Sequence, residues 1–185
     1  MNAKTPLENG LPFLKKIVDV FDKDEIPYML SGSVAMSLYI DFRASRDFDF
    51  VVHLQPRDVD RFIESFNEGY YYNKEVIEDA VKFQKMFNII EHASSFSADF
   101  VILKNEAFRQ NEFSRRILME FFGKTIYIVS PEDLIISKLI WIQDFQSPVQ
   151  MEDIKNLVKS ENLDLVYINQ WVAKLSLNSF NLLKS

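Results

Sequence analysis

Leu11, Leu14, Ile17, Val18 and Phe21 recur at the three- and four-residue intervals of a helix face. The spacing predicts an amphipathic helix over 11–24, ended by Pro27. "YMLSG" (28–32) then reads as a short buried strand and "SVAMSLYI" (33–40) as a helix. The next strand is "FDFVVHL" (48–54). Pro56 opens a helix carrying Val59, Phe62, Ile63 and Phe66 that stops at Gly69. Asn73 caps another helix, which runs to about Phe83. "MFNIIEH" (86–92) and "ADFVILK" (98–104) are close enough for an antiparallel hairpin through the polar "ASSFS".

The pattern turns helical again over 106–120, followed by the short strand "TIYIV" (125–129). Ser130, Pro131 and Asp133 supply an N-cap, a proline at the first helical position and a first-turn acid, so a helix is expected to about Asp144. "MEDIKNLVKS" and "LVYINQWVAKLSL" complete a helical tail. Mixed strands and helices over 1–130, then helices alone over 131–185, predict an α+β core with a C-terminal helical cap in one compact unit.

Composition narrows the classes. At 185 residues with 48% hydrophobic positions and 17 Phe, the chain can fill one ordinary core. A formal net charge of −6 opposes a broad basic surface for duplex nucleic acid. No cysteine is present, which excludes disulfides, thiolate metal sites and cysteine nucleophiles and suits a cytoplasmic protein. The N-terminal stretch has no signal-peptide pattern. No apolar run approaches the ~20 residues that span a bilayer, so no membrane partner is expected.

"SRDFDFVV" (45–52) breaks the apolar pattern. On a strand, Asp47 and Asp49 would point to one face while Phe48 and Phe50 enter the core. Two neighbouring carboxylates repel unless a cation lies between them, and hard oxygen donors suit Mg²⁺. An Asp-x-Asp pair also serves as a turn cap or an ion-pair partner for Arg43 or Arg46. Three further features share the same chain: Gly32-Ser33 between strand and helix, Asp99 at the head of an apolar strand, and Lys138 amid apolar helix residues. The two histidines, His53 and His92, are read as a structural side chain and an exposed one. Trp141 and Trp171 are expected to pack between helices.

A Gly-Ser turn opening a helix, Asp-x-Asp on the next strand and a later strand Asp together resemble the polymerase-β-type nucleotidyltransferase superfamily. The blocks "IPYMLSGSVAMSLY", "RASRDFDFVV", "FNIIE", "FSADFVILK", "SPEDLIISKL", "SPVQMEDIKNLV" and "LDLVYINQWVAKLSL" are similar to small bacterial nucleotidyltransferases related to abortive-infection-type toxins. The likeness spans residues 25–177. It departs from that pattern at Met151-Glu152, where relatives are often basic, and in the short stretch between Trp141 and Gln150.

The resemblance implies a mixed β-sheet flanked by helices. It also implies transfer of a nucleoside monophosphate from an NTP to a hydroxyl acceptor. Asp47, Asp49 and Asp99 would hold two Mg²⁺ ions and carry catalysis. Gly32, Ser33 and Lys138 would bind the nucleotide phosphates, and Asp153 would anchor the helical part. The acceptor stays open among tRNA, protein and small molecules, and a cognate antitoxin is a conceivable partner. Two other readings stand beside it: a catalytically silent nucleotide-binding or protein-interaction module on the same fold, and a structural domain whose acids pair with Arg43, Arg46 and Lys104.

Overall fold

Residues 6–40 and 45–183 are described in a computed structural model; Arg43, one of the candidate acid partners, lies outside them. The amphipathic helix begins at Pro6, earlier than expected, and forms α1 (Pro6–Lys23). Strand β1 (Tyr28–Ser31) runs directly into the short α2 (Gly32–Met36). Strand β2 (Asp47–Val52) follows, then one 3-10 turn and α3 (Val59–Glu64). Next come β3 (Tyr70–Tyr71) and α4 (Lys74–Phe83), which is capped by the Asn73 side chain accepting from the Val76 N–H.

The expected hairpin forms as β4 (Met86–Glu91) and β5 (Ser97–Ile102), antiparallel, with Phe87 opposite Phe100. The helix expected over 106–120 is shorter than its pattern suggested. It survives as α5 (Ala107–Ser114), and residues 117–121 instead form β6 (Ile117–Phe121), paired antiparallel with β7 (Lys124–Ile128). The cause lies in the two connecting residues: Phe122 and Gly123 both have positive φ (48° and 75°), the backbone of a tight two-residue hairpin turn. That turn commits the residues on either side of it to strands.

Among the described residues the strands form one seven-stranded mixed sheet in the order β3-β4-β5-β2-β1-β7-β6. β2 is central, antiparallel to β1 and parallel to β5. Phe48 and Phe50 of β2 are fully buried. Behind this face Phe21, Phe50, Phe62, Phe87 and Phe100 meet in stacked and edge-on pairs, Phe87 and Phe100 with ring centroids 4.9 Å apart. Such pairs add ~0.5–1.5 kcal/mol each beyond burial. The aromatic layer therefore holds β2 from behind and leaves its other face for the aspartates.

Ser130 starts α6 (Pro131–Asp144) as expected, its hydroxyl accepting from the Asp133 N–H. Helices α7 (Pro148–Leu157) and α8 (Leu165–Lys174) pack on α6. One buried carboxylate ties these pieces together. Asp133 receives the Ser130 hydroxyl at 2.6 Å, Arg115 Nε at 3.0 Å and the Tyr167 hydroxyl at 2.5 Å. Asn111 in turn donates to Tyr167, and the Arg115 guanidinium lies 4.0 Å from the Tyr167 ring centroid. Residues from α5, α6 and α8 are thus joined through one anion.

Candidate active site

The two central strands bring the predicted acids to one place. Ser31 pairs with Asp49 across β1 and β2, while Asp47 pairs with Ser97 and Asp49 with Asp99 across β2 and β5. Directly opposed residues on neighbouring strands lie about 5 Å apart, so Asp49 and Asp99 stand side by side on the face away from the phenylalanines. Asp47 is exposed and takes a hydrogen bond from the Ser97 hydroxyl. Among the described residues, no ion pair joins these three acids to Arg46 or Lys104.

Gly32 explains how Asp49 fits. Its φ is +65°, and a Cβ added there would lie 1.8 Å from Asp49 Oδ2. Only glycine permits both the left-handed backbone and this close approach. The carboxylate therefore rests on the Gly32 Cα and accepts a hydrogen bond from the Ser33 N–H. The Gly-Ser turn and the Asp-x-Asp strand form one unit, in which the Ser33 amide already serves Asp49.

Electrostatics at this point are unfavourable as built. Burial, with the nearby charges of Asp99 and Asp47, pushes the Asp49 carboxyl up to about 6, against the opposing pull of Lys138 and the Ser33 N–H. Burial and Asp47 also raise Asp99. These hard oxygen donors have the chemistry of a divalent-cation site. Among the described residues, no group of three or more His, Cys, Asp or Glu side chains converges closely enough to hold an ion as they stand.

Asp49 and the Gly-Ser turn open onto a cleft of about 300 Å³ between the sheet, α5, α6 and α7. Val51, Val101 and Ile102 line its apolar side, and Lys104, Arg109, Lys138 and Gln150 add polar groups. Lys138 reaches this cleft from α6 and is buried there. It donates to Asp153 Oδ2 at 2.8 Å and to Gln150 Oε1 at 2.7 Å, both on α7. Asp153 therefore anchors Lys138 itself, a link the sequence did not disclose.

Several lining residues were missed in the sequence. Arg109 donates to Glu112 Oε2 at 2.9 Å and to the Ser137 hydroxyl at 2.6 Å. Burial raises the Glu112 carboxyl against the pull of Arg109 and Ser137. The available signal was the i, i+3 spacing of Arg109 and Glu112 on a helix. Trp141 also departs from its expected role, being 54% exposed at the cleft rim, with Phe145 edge-on beside it. Trp171 packs as expected, edge-on to Phe108. His53 is exposed rather than structural, with Gln55 as its side-chain neighbour at 2.8 Å, and His92 is exposed. No described helix is long and apolar enough to cross a membrane.

No protein-family model matches the chain, and no curated protein matches it significantly. Solved structures do. The antibiotic-resistance factor ANT(2'')-Ia superposes with a TM-score of 0.60 at 15% identity, over 91% of this chain and 92% of that one. The lincosamide antibiotic adenylyltransferase LnuA, solved with lincomycin, gives 0.55 at 16% identity over 79% and 94%. An antigenic nucleotidyltransferase-like protein from Paracoccidioides brasiliensis gives 0.53 at 14% identity over 88% and 85%. At these identities the likeness concerns architecture: the chain has the α+β fold of nucleotidyltransferases, a mixed sheet flanked by helices.

Proposed function

We propose that this chain transfers a nucleoside monophosphate from an NTP to a hydroxyl group of a small-molecule acceptor. The observation that carries the reading is Asp49, seated on Gly32 in the cleft wall and paired across the strands with Asp99, which lies beside the cleft rather than in its lining. Mutual repulsion among carboxylates is costly for a fold and useful for binding a cation. When bound, Mg²⁺, as one ion or two, would lower the pKa of the attacking hydroxyl and screen the triphosphate. Asp49 and Asp99 would hold it, joined by Asp47 on release of Ser97.

The chain's own groups supply the rest. The Gly32 amide and the Ser33 hydroxyl contact the outer phosphates, and Lys138, fixed by Asp153 and Gln150, adds a positive charge. The acceptor oxygen attacks the α-phosphorus, the bond to the pyrophosphate oxygen breaks, and Asp99 accepts the hydroxyl proton. A small acceptor suits a 300 Å³ cleft with the Trp141 ring at its rim. A chain with net charge −6 is less suited to a long RNA. The antibiotic nucleotidyltransferases among the structural neighbours support the same class of acceptor.

The test is an incubation with each α-phosphate-labelled NTP, Mg²⁺ and a panel of hydroxylated aminoglycosides and lincosamides. Labelled acceptor and released pyrophosphate are expected, and both vanish in Asp99→Asn. Nucleotide binding without transfer to any acceptor would assign the cleft to a silent binding module instead.

A further inference from the structure

The far edge of the sheet, remote in strand order from β5, presents a surface that the transfer reaction does not use. β6 is the terminal strand beyond β7. It exposes Ile117, Leu118 (58%) and the turn residue Phe122 (47%). Its sequence, "ILMEF", has no proline or lysine, and no bulge interrupts its register with β7. These are the usual guards against edge pairing. The opposite edge differs, since β3 is only two residues long.

The backbone of β6 is polarised by its hairpin. Phe121 and Lys124 flank the two-residue turn, so Phe121, Met119 and Ile117 direct their hydrogen-bonding groups at β7. Leu118 and Glu120 therefore direct theirs outward. Arg116, the residue before β6, lies on the same side as their side chains: its guanidinium packs over Tyr127, the cross-strand partner of Leu118, and over Phe113, whose carbonyl takes one Nη1 hydrogen bond, leaving the other terminal guanidinium nitrogen, Nη2, for a partner.

We infer that β6 is a self-association edge that pairs antiparallel with β6 of a second copy, about a two-fold axis at Leu118. The charge pattern selects both the partner and the register. With Leu118 opposite Leu118 of the second copy, Arg116 falls opposite Glu120 of that copy, and the reverse pair forms by symmetry. The two outward-facing Leu118 backbones exchange both their hydrogen bonds in this register. On the other face, Ile117 meets Met119 of the second copy. Shifting one strand by two residues removes the two-fold at Leu118 and breaks the double Arg116–Glu120 match.

Short strands bury less than the roughly 1,600 Å² of a standard interface, which places the contact among the weak, transient ones. The test is sedimentation equilibrium of the full chain over a concentration series, with amide hydrogen exchange in parallel. The expected result is a monomer–dimer equilibrium in which Leu118 and Glu120 amides gain protection as concentration rises. Leu118→Lys, at an exposed position that leaves the fold intact, abolishes it. Glu120→Arg weakens it at least ~10-fold, and Arg116→Glu combined with Glu120→Arg restores it. Circular dichroism checks that each variant is folded.

A chain monomeric throughout the series overturns the inference. So does a dimer untouched by Leu118→Lys, which would use another surface. A monomer that instead takes up an added apolar extended peptide at β6 assigns the edge to a different protein and also overturns it. Nucleotide transfer is scored separately, so failure here leaves the cleft reading standing.

Discussion

Asp133 and Asp49 are both carboxylates withdrawn from water, and the molecule treats them in opposite ways. Asp133 is completely buried and has three donors: a hydroxyl from its own helix cap, a guanidinium from the α5 end and a phenol from α8. Asp49 is less buried, yet two other acids lie within electrostatic reach, and its carboxyl is pushed up to about 6. Depth alone does not distinguish a structural carboxylate from a reactive one. What distinguishes them is whether the protein itself completes the charge. The helical region answers its own anion with a guanidinium, whereas on the sheet face Asp49 has, among the described residues, only the Ser33 N–H and the more distant pull of Lys138 against two neighbouring acids.

Substitutions sharpen that contrast, and the largest effect belongs to the completed site. Asp133→Ala leaves Arg115 and Tyr167 facing a void and is expected to cost ~3–5 kcal/mol. Chemical denaturation measures it, with Asp133→Asn recovering part of the loss. Gly32→Ala comes next. Its Cβ cannot coexist with Asp49 Oδ2 at 1.8 Å and strains a backbone at φ +65°. A stability loss of ~2–3 kcal/mol is expected, together with loss of transfer.

Asp49→Asn runs in the opposite direction. The folded carboxyl titrates near 6 and the unfolded one near the ordinary carboxylate value, so the folded state holds the extra proton between them. Wild-type stability therefore falls as pH rises through that window, and the deficit is complete above it. The asparagine variant lacks the deficit and should exceed the wild type by about 2–3 kcal/mol at neutral pH without divalent cations. The two should converge toward pH 4. A variant that loses activity while gaining stability would separate this acid from Asp133.

The smallest effect is expected at the cleft rim. Trp141→Ala removes an exposed ring and should alter stability by no more than ~0.5 kcal/mol. It should raise KM by about 3–10-fold with kcat held, if the ring packs against a bound substrate.

Much of the arrangement was legible in the chain, for local reasons. The α+β class, the 86–102 hairpin and the Ser130 cap follow from alternation, turn residues and capping chemistry that act within a few positions. Asp47 and Asp49 could be placed on one face because strand parity is strictly two. β6 was misread because "RRILMEFF" is a short apolar run that fits a helix end as well as a strand. The positive φ at Phe122 decides it, and a phenylalanine does not advertise that conformation. β3, at two residues, is too short to leave a pattern. The Arg109–Glu112 pair had a local signal in its i, i+3 spacing, but its place in the cleft and the Lys138–Asp153 link arise from how α5 and α7 lie against the sheet, which no local spacing encodes. Trp141 was assigned to packing because helix spacing does not say which face stays uncovered.

The most direct test of the central claim is calorimetric titration of NTP into the wild-type chain and into Asp49→Asn, each with and without Mg²⁺. The account predicts that Mg²⁺ strengthens NTP binding to the wild type by ~10-fold or more and gives no such gain in the variant. Equal binding by both chains, insensitive to Mg²⁺, would contradict it and return the paired aspartates to a structural role.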